Sequence, residues 1–305
     1  MRSRKKKISN KIALSKSEKV ILVISYVFMG LLALLAILPV LHVVSKSFSS
    51  AAAVTAGQVI FWPIKPQFET MRYVIEETPF LNALKNSLIV TSVGTVVSML
   101  VTIGTAYPLS KPNFKGRKIF IMAYIVSMVF FGGIVPAYMV VRTLGIIDTY
   151  FALILPFFIV HFNMFVVKNY FEGLPESVEE SARIDGASDI RILVSIVCPM
   201  SKPVLATVAL WVIVGHWNDY LNSLLFLSSR HNYTLQLVLK ELVLNAEASI
   251  HNISMSSDSS TSGAAALGQQ MRNGVLVVSM IPMIILYPFV QRYFISGVML
   301  GSVKG

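Results

Sequence analysis

The sequence predicts an all-α membrane protein with six transmembrane helices, and three observations lead to that prediction. Apolar residues make up 55% of the 305 residues and charged residues only 13%, and the mean hydropathy is +0.69. This composition is far more apolar than that of an ordinary soluble domain. Six stretches are long and apolar enough to cross a bilayer core of roughly 30 Å. One charged stretch, Glu176–Pro203, interrupts this pattern and is called the polar segment below.

Residues 1–19 are predicted to form a basic cytoplasmic tail. The formal net charge is +11, and much of it lies directly before the first apolar stretch. The basic residues there are Arg2, Arg4, Lys5, Lys6, Lys7, Lys11, Lys16 and Lys19, opposed only by Glu18. Basic residues beside a span favour the cytoplasmic side and attract anionic lipid. We therefore expect contact with membrane lipid and no nucleic-acid partner.

The predicted membrane domain covers residues 20–296. Its spans are Val20–Val44, Leu84–Leu109, Ile119–Val141, Tyr150–Tyr170, Val204–Leu227 and Gly274–Ile295. The first span is longer than the apolar core of a signal peptide, about 7–15 residues, so we expect it to stay uncleaved. Lys111, Lys115, Arg117 and Lys118 follow the second span and place that turn in the cytoplasm. Both termini, including a tail at 297–305, are then cytoplasmic.

The longest predicted outer loop is 228–273. Within it, Ser254–Ser262 consists almost entirely of Ser, Thr and Asp, which cannot bury enough apolar area to become ordered by themselves. We expect this stretch to be mobile.

The chain carries no sign of catalytic chemistry. It contains no GxxxxGK[ST] phosphate loop, no HExxH and no GxSxG sequence. Cys198 is the single cysteine, so neither an internal disulfide nor a cysteine cluster can form. We therefore expect a protein that is not an enzyme and that binds no metal or cofactor.

Polar residues inside the spans are candidates for a substrate path, because such groups usually face a bundle interior or a water-filled path. His161 and Asn163 are two candidates in the fourth span, where an interhelical hydrogen bond is an equal alternative. The others are Trp217, Asn218, Asp219 and Asn222 in the fifth span.

A continuous fifth helix would place Asn218 and Asn222 on one face with Trp211 and Gly215. Amide groups and an aromatic ring suit a polar, uncharged solute such as a sugar. An aromatic belt with helix-packing contacts explains the same residues equally well.

The polar segment predicts an amphipathic hairpin over 174–203. Glu176, Glu179 and Glu180 lie near a helix N-terminus, where carboxylates are favoured, and Asp185-Gly186 predicts a turn. We expect Leu174, Val178 and Ala182 on one face of the first arm, and Ile190, Leu193, Val194 and Val197 on one side of the second. Neither arm is stable alone, so a partner groove or this chain's own inner loops must cover the hairpin.

The spacing within this segment resembles a known signature. Glu180-Ser-Ala182, three residues, Gly186, nine residues and Ile196-Val-Cys-Pro199 are similar to EAA-x3-G-x9-I-x-L-P of binding-protein-dependent ABC importer permeases. Ser181 and Cys198 depart from that pattern. EESARIDGAS, WNDY at 217–220, FFGGIVPAY with LGIIDTY, and RYFISGVMLGSVKG resemble the carbohydrate, maltose-type branch. The last two resemble its complex-oligosaccharide subgroup.

The resemblance implies the ABC importer permease fold and a role in sugar import, with the polar segment as a coupling hairpin. It implies a second, homologous permease in a heterodimer, two cytoplasmic ATPase subunits that carry ATP and Mg, and an extracytoplasmic solute-binding protein. The location would be the plasma (inner) membrane of a bacterium. Implied ATPase-coupling residues are Glu179, Glu180, Ala182, Asp185, Gly186, Ile196, Pro199, Lys304 and Gly305.

The resemblance also bears on the outer side. The loop Asn245–Ala266 lies where the family places a loop that probes the binding protein, but its Ser-rich insert departs from the short family version. In the maltose-type systems the partner permease makes most of the sugar contacts, so the candidate path residues would then line the path without binding substrate.

Two other functions stay open from the sequence alone. An ABC permease for an amino acid or peptide would show the same signature. An ion-coupled secondary transporter would use His161 and Asp219 as proton sites, but no internal repeat pairs the halves, and the polar segment would have no role.

Overall fold

The computed structural model describes residues 15–76, 78–130, 132–255, 272–282, 284–285 and 288. Every regular element in these ranges is helical, which confirms the predicted all-α class. The helices are α1 (Lys16–Ser47), α2 (Ala51–Thr55), α3 (Glu69–Glu76), α4 (Phe80–Ser110), α5 (Arg117–Val129), α6 (Ile134–Thr143), α7 (Tyr150–Ile154), α8 (His161–Glu172), α9 (Glu176–Ile184), α10 (Asp189–Ile192), α11 (Cys198–Met200), α12 (Lys202–Trp217), α13 (Leu221–Phe226) and α14 (Leu235–Met255). Short 3-10 turns occupy Leu155–Phe157 and Arg230–Asn232, and a π-helical turn occupies Leu193–Val197.

Two straight helices, Ser17–Ser47 and Phe80–Ser110, are each long and apolar enough to cross a membrane. Three further pairs of helices qualify if each bent pair is one span, so the described residues supply up to five of the six predicted spans. The predicted sixth span starts within the described helical stretch 272–282, and most of its remainder lies outside the described residues.

Glycine and proline account for two of the bends. The break between α5 and α6 falls at Gly132-Gly133, where Gly133 has a φ of 90°, and the 51° bend between the α7 stretch and α8 follows Pro156. Glycine tolerates positive φ, and proline removes a backbone donor from the helix. The third bend, 86°, separates the second arm of the polar segment from α12.

The predicted fifth span, Val204–Leu227, is not one continuous helix. Helix α12 ends at Trp217, residues 218–220 are not helical, and α13 starts at Leu221. The side chain of Asp219 accepts a hydrogen bond from the backbone amide of Asn222 at 3.1 Å, and such local bonding competes with a continuing helix. Asn218 and Asn222 therefore do not share one helix face with Trp211 and Gly215.

The predicted outer loop 228–273 contains the 21-residue helix α14. Its buried residues Leu235 and Leu239, with the half-buried Leu242, recur every three or four positions and pack beside Trp217. This apolar periodicity explains a helix where the polar composition of the whole stretch predicted a loop. The predicted mobile stretch Ser254–Ser262 lies outside the described residues, apart from helical 254–255.

Helix α4 is the centre of the described bundle, because it packs against α5, α7, α8, α12 and α14. Towards the polar segment, Tyr107 of α4 joins a core cluster with Val167, Phe171 and Ile192. At the other end, Val90 joins a second cluster with Phe226. Helix α1 differs, since its apolar side chains from Val20 to Val40 are almost all exposed within this chain. That surface remains for lipid or another chain to cover.

Candidate functional site at the polar segment

The first arm of the polar segment ends in a glycine-dependent helix stop. Gly186 has a φ of 79°, its amide donates to the carbonyl of Arg183 at 3.0 Å, and the amide of Ala187 donates to the carbonyl of Ala182 at 3.0 Å. This pair of bonds is the Schellman motif, which places its left-handed residue directly after the helix cap, here Asp185. The predicted turn at Asp185-Gly186 is confirmed, and its geometry gives Gly186 a backbone role.

The second arm begins at a capped residue and is tied to the first. The Ser188 hydroxyl accepts a hydrogen bond from the amide of Arg191 at 3.4 Å, which is typical of an N-cap residue. Arg183 of the first arm forms an ion pair with Asp189 of the second at 3.1 Å. Ile192 and Val197 are buried in the core cluster, and Ile196 packs against it. The two arms therefore form one unit seated on the bundle.

The turn of this unit carries exposed apolar side chains. Ile184 is 86% exposed and Ile190 is 76% exposed; these two residues flank the turn, and the nearby side chains of Glu180 and Asp185 are also exposed. An exposed apolar patch bordered by charges marks an interaction surface. Ile184 and Ile190 are called the apolar tip below.

The predicted faces of the two arms are only partly right. In the first arm Ala182 is buried and Leu174 packs on the core cluster, but Val178 is exposed. In the second arm Ile190 and Val194 are exposed while Val197 is buried. The π-helical turn Leu193–Val197 has a wider turn than an α-helix and shifts the side chains within and after it; it does not account for Val178 and Ile190, which precede it.

Glu179 points towards the bundle and is only 8% exposed. One of its carboxylate oxygens lies 2.5 Å from the ammonium group of Lys111, and the other accepts a hydrogen bond from the Tyr107 hydroxyl at 3.4 Å. The Lys111 ammonium also lies 4.8 Å from the centre of the Tyr107 ring. Lys111 follows the last residue of α4. Glu179 therefore joins the polar segment to the loop after α4.

A second ionic group joins the other end of that loop. Glu172, the last residue of α8, pairs with Arg117 and with Lys168, whose ammonium lies 2.7 Å away. The Arg117 side chain also donates to the carbonyl of Leu109 at 2.9 Å. The sequence identified Lys111 and Arg117 only as cytoplasmic flanking charges, because their partners lie more than 50 residues away.

A cleft of about 830 Å³ opens between these parts. Its walls are the α4 end and the following loop on one side, at Tyr107, Lys111 and Phe114, and the polar segment on the other, at Arg183 and Ile190. The apolar packing between the two walls is therefore incomplete, and the ionic contact at Glu179 bridges them directly.

Three implied coupling residues remain, and the structure describes one of them. Pro199 is exposed on α11. Lys304 and Gly305 lie outside the described residues.

The first two path candidates lie at the start of α8. His161 is the first residue of that helix, and its ring meets that of Tyr124 edge-on with centroids 5.6 Å apart. Asn163 is buried. Their role in a path stays a prediction.

The other four path candidates lie where α12 gives way to α13. Trp217 is 1% exposed in a cluster with Phe80 and Leu235, and its indole nitrogen has no hydrogen-bond partner in the described part of the chain. The exposed Asn218 donates to the carbonyl of Val214 at 3.1 Å.

Asp219 and Asn222 bond to each other. The amide nitrogen of the Asn222 side chain donates to the Asp219 carboxylate at 2.9 Å, in addition to the backbone bond described above. These two hydrogen bonds hold the conformation of the chain between α12 and α13. Across the described ranges, no three His, Cys, Asp or Glu side chains come together as a metal site.

Comparison with known proteins gives consistent matches. Residues 94–300 match the family described as "Binding-protein-dependent transport system inner membrane component". Protein LplC of Bacillus subtilis (strain 168) is 36% identical over 291 residues, covering 95% of this chain and 97% of that protein. The polygalacturonan/rhamnogalacturonan transport system permease protein YtcP of the same organism is 36% identical over 282 residues, covering 92% and 96%.

A solved structure agrees with these matches. One chain in the crystal structure of a bacterial ABC transporter involved in the import of the acidic polysaccharide alginate superposes with a TM-score of 0.80 and 32% identity. The match covers 92% of this chain and 99% of that one.

These matches confirm the resemblance and overturn the ion-coupled secondary transporter as an alternative, since the family's members are permeases of binding-protein-dependent systems. The family model covers more than half of the chain, and the relatives match over nearly their whole length. The chain therefore belongs to the binding-protein-dependent inner membrane components, the permease subunits of ABC importers.

Proposed function

We propose that this chain forms half of the translocation pathway of a bacterial ABC importer for oligosaccharides, together with a second, homologous permease. The observation that carries the proposal is the apolar tip, Ile184 and Ile190, which is exposed at the turn of a unit whose inner side is packed on the bundle. ATP and Mg would be bound by two separate ATPase subunits, and this chain would be a transport subunit.

The shape of the polar segment supports docking into a groove. Helix α9 has nine residues, too few to be stable without tertiary contacts. Its inner side is anchored by Glu179 and Ala182, which leaves the tip free for a second protein. Short helices with apolar anchors bind in this way to hydrophobic grooves. The exposed Glu180 and Asp185 beside the tip supply charges that can fix the orientation.

The proposed topology has six spans with both termini in the cytoplasm, in the plasma (inner) membrane. The basic residues before α1 and after α4 support it, since both groups then lie on the cytoplasmic side with the polar segment. Residues 1–19 and 297–305 would be cytoplasmic tails, 20–296 the membrane domain, and 228–273 an outer segment that faces a solute-binding protein.

The names of relatives support a carbohydrate cargo. YtcP is a polygalacturonan/rhamnogalacturonan permease, and GanQ of Bacillus subtilis (strain 168), 28% identical over 291 residues, is a galactooligosaccharide permease. The similar chain of known structure belongs to a transporter involved in the import of the acidic polysaccharide alginate. We propose oligosaccharides, including fragments of acidic polysaccharides, as the cargo class.

The proposal is tested by purifying the complete importer and reconstituting it in phosphatidylethanolamine and phosphatidylglycerol vesicles. The cognate binding protein is added with oligogalacturonates, neutral maltodextrins or short peptides, and ATP hydrolysis and uptake are measured. We expect one class of oligosaccharide to stimulate both. Stimulation by peptides alone would contradict the proposed cargo.

Docking is tested separately by the amount of ATPase that copurifies with the permease. Ile184→Asp and Ile190→Asp should each reduce it strongly, because a carboxylate in an apolar groove loses its hydration. Leu144→Asp is the matched control, since Leu144 is 63% exposed in a loop away from the segment. Full retention of the ATPase by both tip variants would rule out docking through the tip.

A further inference from the structure

The geometry points to Lys111 as a positioning residue for coupling: its ion pair with Glu179 makes the polar segment and α4 move together, so that displacement at the ATPase reaches the central helix directly. This inference rests on the proposed function, because it presumes that the polar segment is the part that the ATPase displaces.

Each carboxylate oxygen of Glu179 has a partner. One carboxylate oxygen meets the Lys111 ammonium at 2.5 Å and the other meets the Tyr107 hydroxyl at 3.4 Å. Both partners belong to the end of α4 or the residue after it. Glu179 is thus held by two groups four residues apart, one on the last turn of α4 and one directly after it, which restrains its helix in rotation as well as in distance.

This pair differs from the other ion pair of the polar segment. Arg183–Asp189 joins two arms of the same unit, and its side chains are 54% and 73% exposed, so solvent weakens it. The Lys111 and Glu179 side chains are only 25% and 11% exposed. A charge left alone in such a place is unfavourable, so the two groups are expected to stay together when the segment moves.

The packing of α4 determines how a displacement of α9 is transmitted through the bundle. Helix α4 packs against both α8 and α12, and a helix of 31 residues is stiff and about 46 Å long. The loop after α4 is held at Lys111 by Glu179 and at Arg117 by Glu172. A shift of α9 therefore acts on α4 itself and does not have to pass through α8.

The cleft beside the pair explains why an ionic contact is needed here. About 830 Å³ of open space separates the loop after α4 from the polar segment, so on this side the apolar packing that joins Tyr107 to Ala182 and Ile192 does not extend to the loop. The pair spans that gap at one point. Without it the loop after α4 loses its direct ionic connection to α9, and only the apolar cluster of Tyr107 with Ala182 and Ile192 links the segment to α4.

The test uses the complete importer in vesicles with Lys111→Glu, Glu179→Lys and the double charge swap. Lys115→Glu and Glu176→Gln are the matched controls, since both residues are exposed in the same loop and the same helix, and Glu176→Gln puts no cation at the helix N-terminus. The readouts are copurified ATPase, basal ATP hydrolysis, hydrolysis with loaded binding protein, and uptake.

We expect each single change to lower uptake on the order of tenfold, a typical size for coupling between sites, with copurified ATPase and basal hydrolysis retained. The double swap should recover most of the uptake, whereas the controls should behave as wild type. If a single reversal prevents folding, Lys111→Gln and Glu179→Gln replace it, and they should lower the ratio of uptake to ATP hydrolysed.

Normal coupling in Lys111→Gln and Glu179→Gln, or a double swap no better than the single changes, would overturn the inference. The proposed function is judged on the wild-type importer and the tip variants. If wild type transports an oligosaccharide and the tip variants lose the ATPase while Lys111 variants remain coupled, only the present inference fails.

Discussion

Asp148 and Ser229 are 81 residues apart in the sequence, yet the Asp148 carboxylate accepts hydrogen bonds from both the backbone amide and the hydroxyl of Ser229. It also accepts from the amide of Ser228 at 2.9 Å, and the Asn232 side chain donates to the Asp148 carbonyl at 2.7 Å. Asp148 has a φ of 61°. These bonds join the turn before α7 to the chain between α13 and α14, at the end of the bundle opposite the polar segment.

Replacing Asp148 should therefore destabilise the protein in two separable ways. Asp148→Gly removes the carboxylate but keeps the positive φ, whereas Asp148→Ala removes the carboxylate and strains the backbone. Hydrogen bonds to a charged group contribute about 1.5–3 kcal/mol. The unfolding temperature in detergent should therefore be highest for wild type, lower for Asp148→Gly and lowest for Asp148→Ala. Equal unfolding temperatures for wild type and Asp148→Gly would show that the carboxylate contributes nothing.

The pH dependence of this contact follows from its charge. Hydrogen bonding from the Ser229 hydroxyl and amide lowers the pKa of Asp148 to about 2, below the value of about 3.9 for an unperturbed aspartate. The stabilisation is therefore present above about pH 4 and is lost as pH falls towards 2. The difference in unfolding temperature between wild type and Asp148→Gly should stay constant from pH 8 to 5 and narrow only below about pH 4. A difference that already narrows between pH 7 and 6 would contradict this assignment.

A close approach between α4 and α12 gives a third prediction. A Cβ on Gly94 would lie 2.7 Å from Nε2 of His216, nearer than any ordinary contact. Gly94→Ala should therefore displace the imidazole or separate the helices, at a cost of about 1–3 kcal/mol for an overpacked site.

Two further variants distinguish a clash with His216 from a general effect of adding a methyl group to α4. Gly104→Ala is the matched control on the same helix, since a Cβ there would meet nothing within 4 Å. It should leave the unfolding temperature in detergent unchanged or slightly raised, because alanine favours helix. Gly94→Ala combined with His216→Ala should recover part of the loss. A Gly94→Ala protein as stable as Gly104→Ala would mean that this contact is not tight.

The features predicted correctly from the sequence are local ones. The signature spacing that includes Glu180 lies within twenty residues, and the turn at Asp185-Gly186 depends on neighbouring backbone bonds alone. Composition sufficed for the membrane class because lipid imposes the same demand on every span.

The features that the sequence did not predict depend on contacts between residues distant in the chain, or on how apolar and polar residues are distributed within one stretch. The ion pair of Glu179 with Lys111 joins residues 68 apart, and no spacing rule connects them. The break after Trp217 lies within an apolar stretch whose average predicted one helix, and the hydrogen bonds of Asp219 with Asn222 that favour the break are not visible in that average. Helix α14 was missed because the Ser-rich residues after it dominated the composition of the same stretch.

The last prediction concerns coupling at the turn of the polar segment. Gly186 holds a φ of 79°, where a residue with a Cβ is less stable by roughly 1–2 kcal/mol, while asparagine is tolerated better. Gly186→Asp should also place a charge beside the apolar tip. We therefore expect Gly186→Asp to abolish stimulation of ATP hydrolysis by the binding protein, and Gly186→Asn to retain part of it.

Glu180→Ala tests the exposed carboxylate of the same signature. Its side chain is exposed and Glu179 supplies the inward contact, so the truncation should leave the unfolding temperature unchanged and act on coupling alone. Glu176→Ala, in the first turn of the same helix, is the control. Loss of stimulation in Glu180→Ala but not in Glu176→Ala would place the signal at the exposed Glu180 carboxylate, whereas unchanged stimulation in both Glu180→Ala and Gly186→Asp would remove the signature from the coupling mechanism.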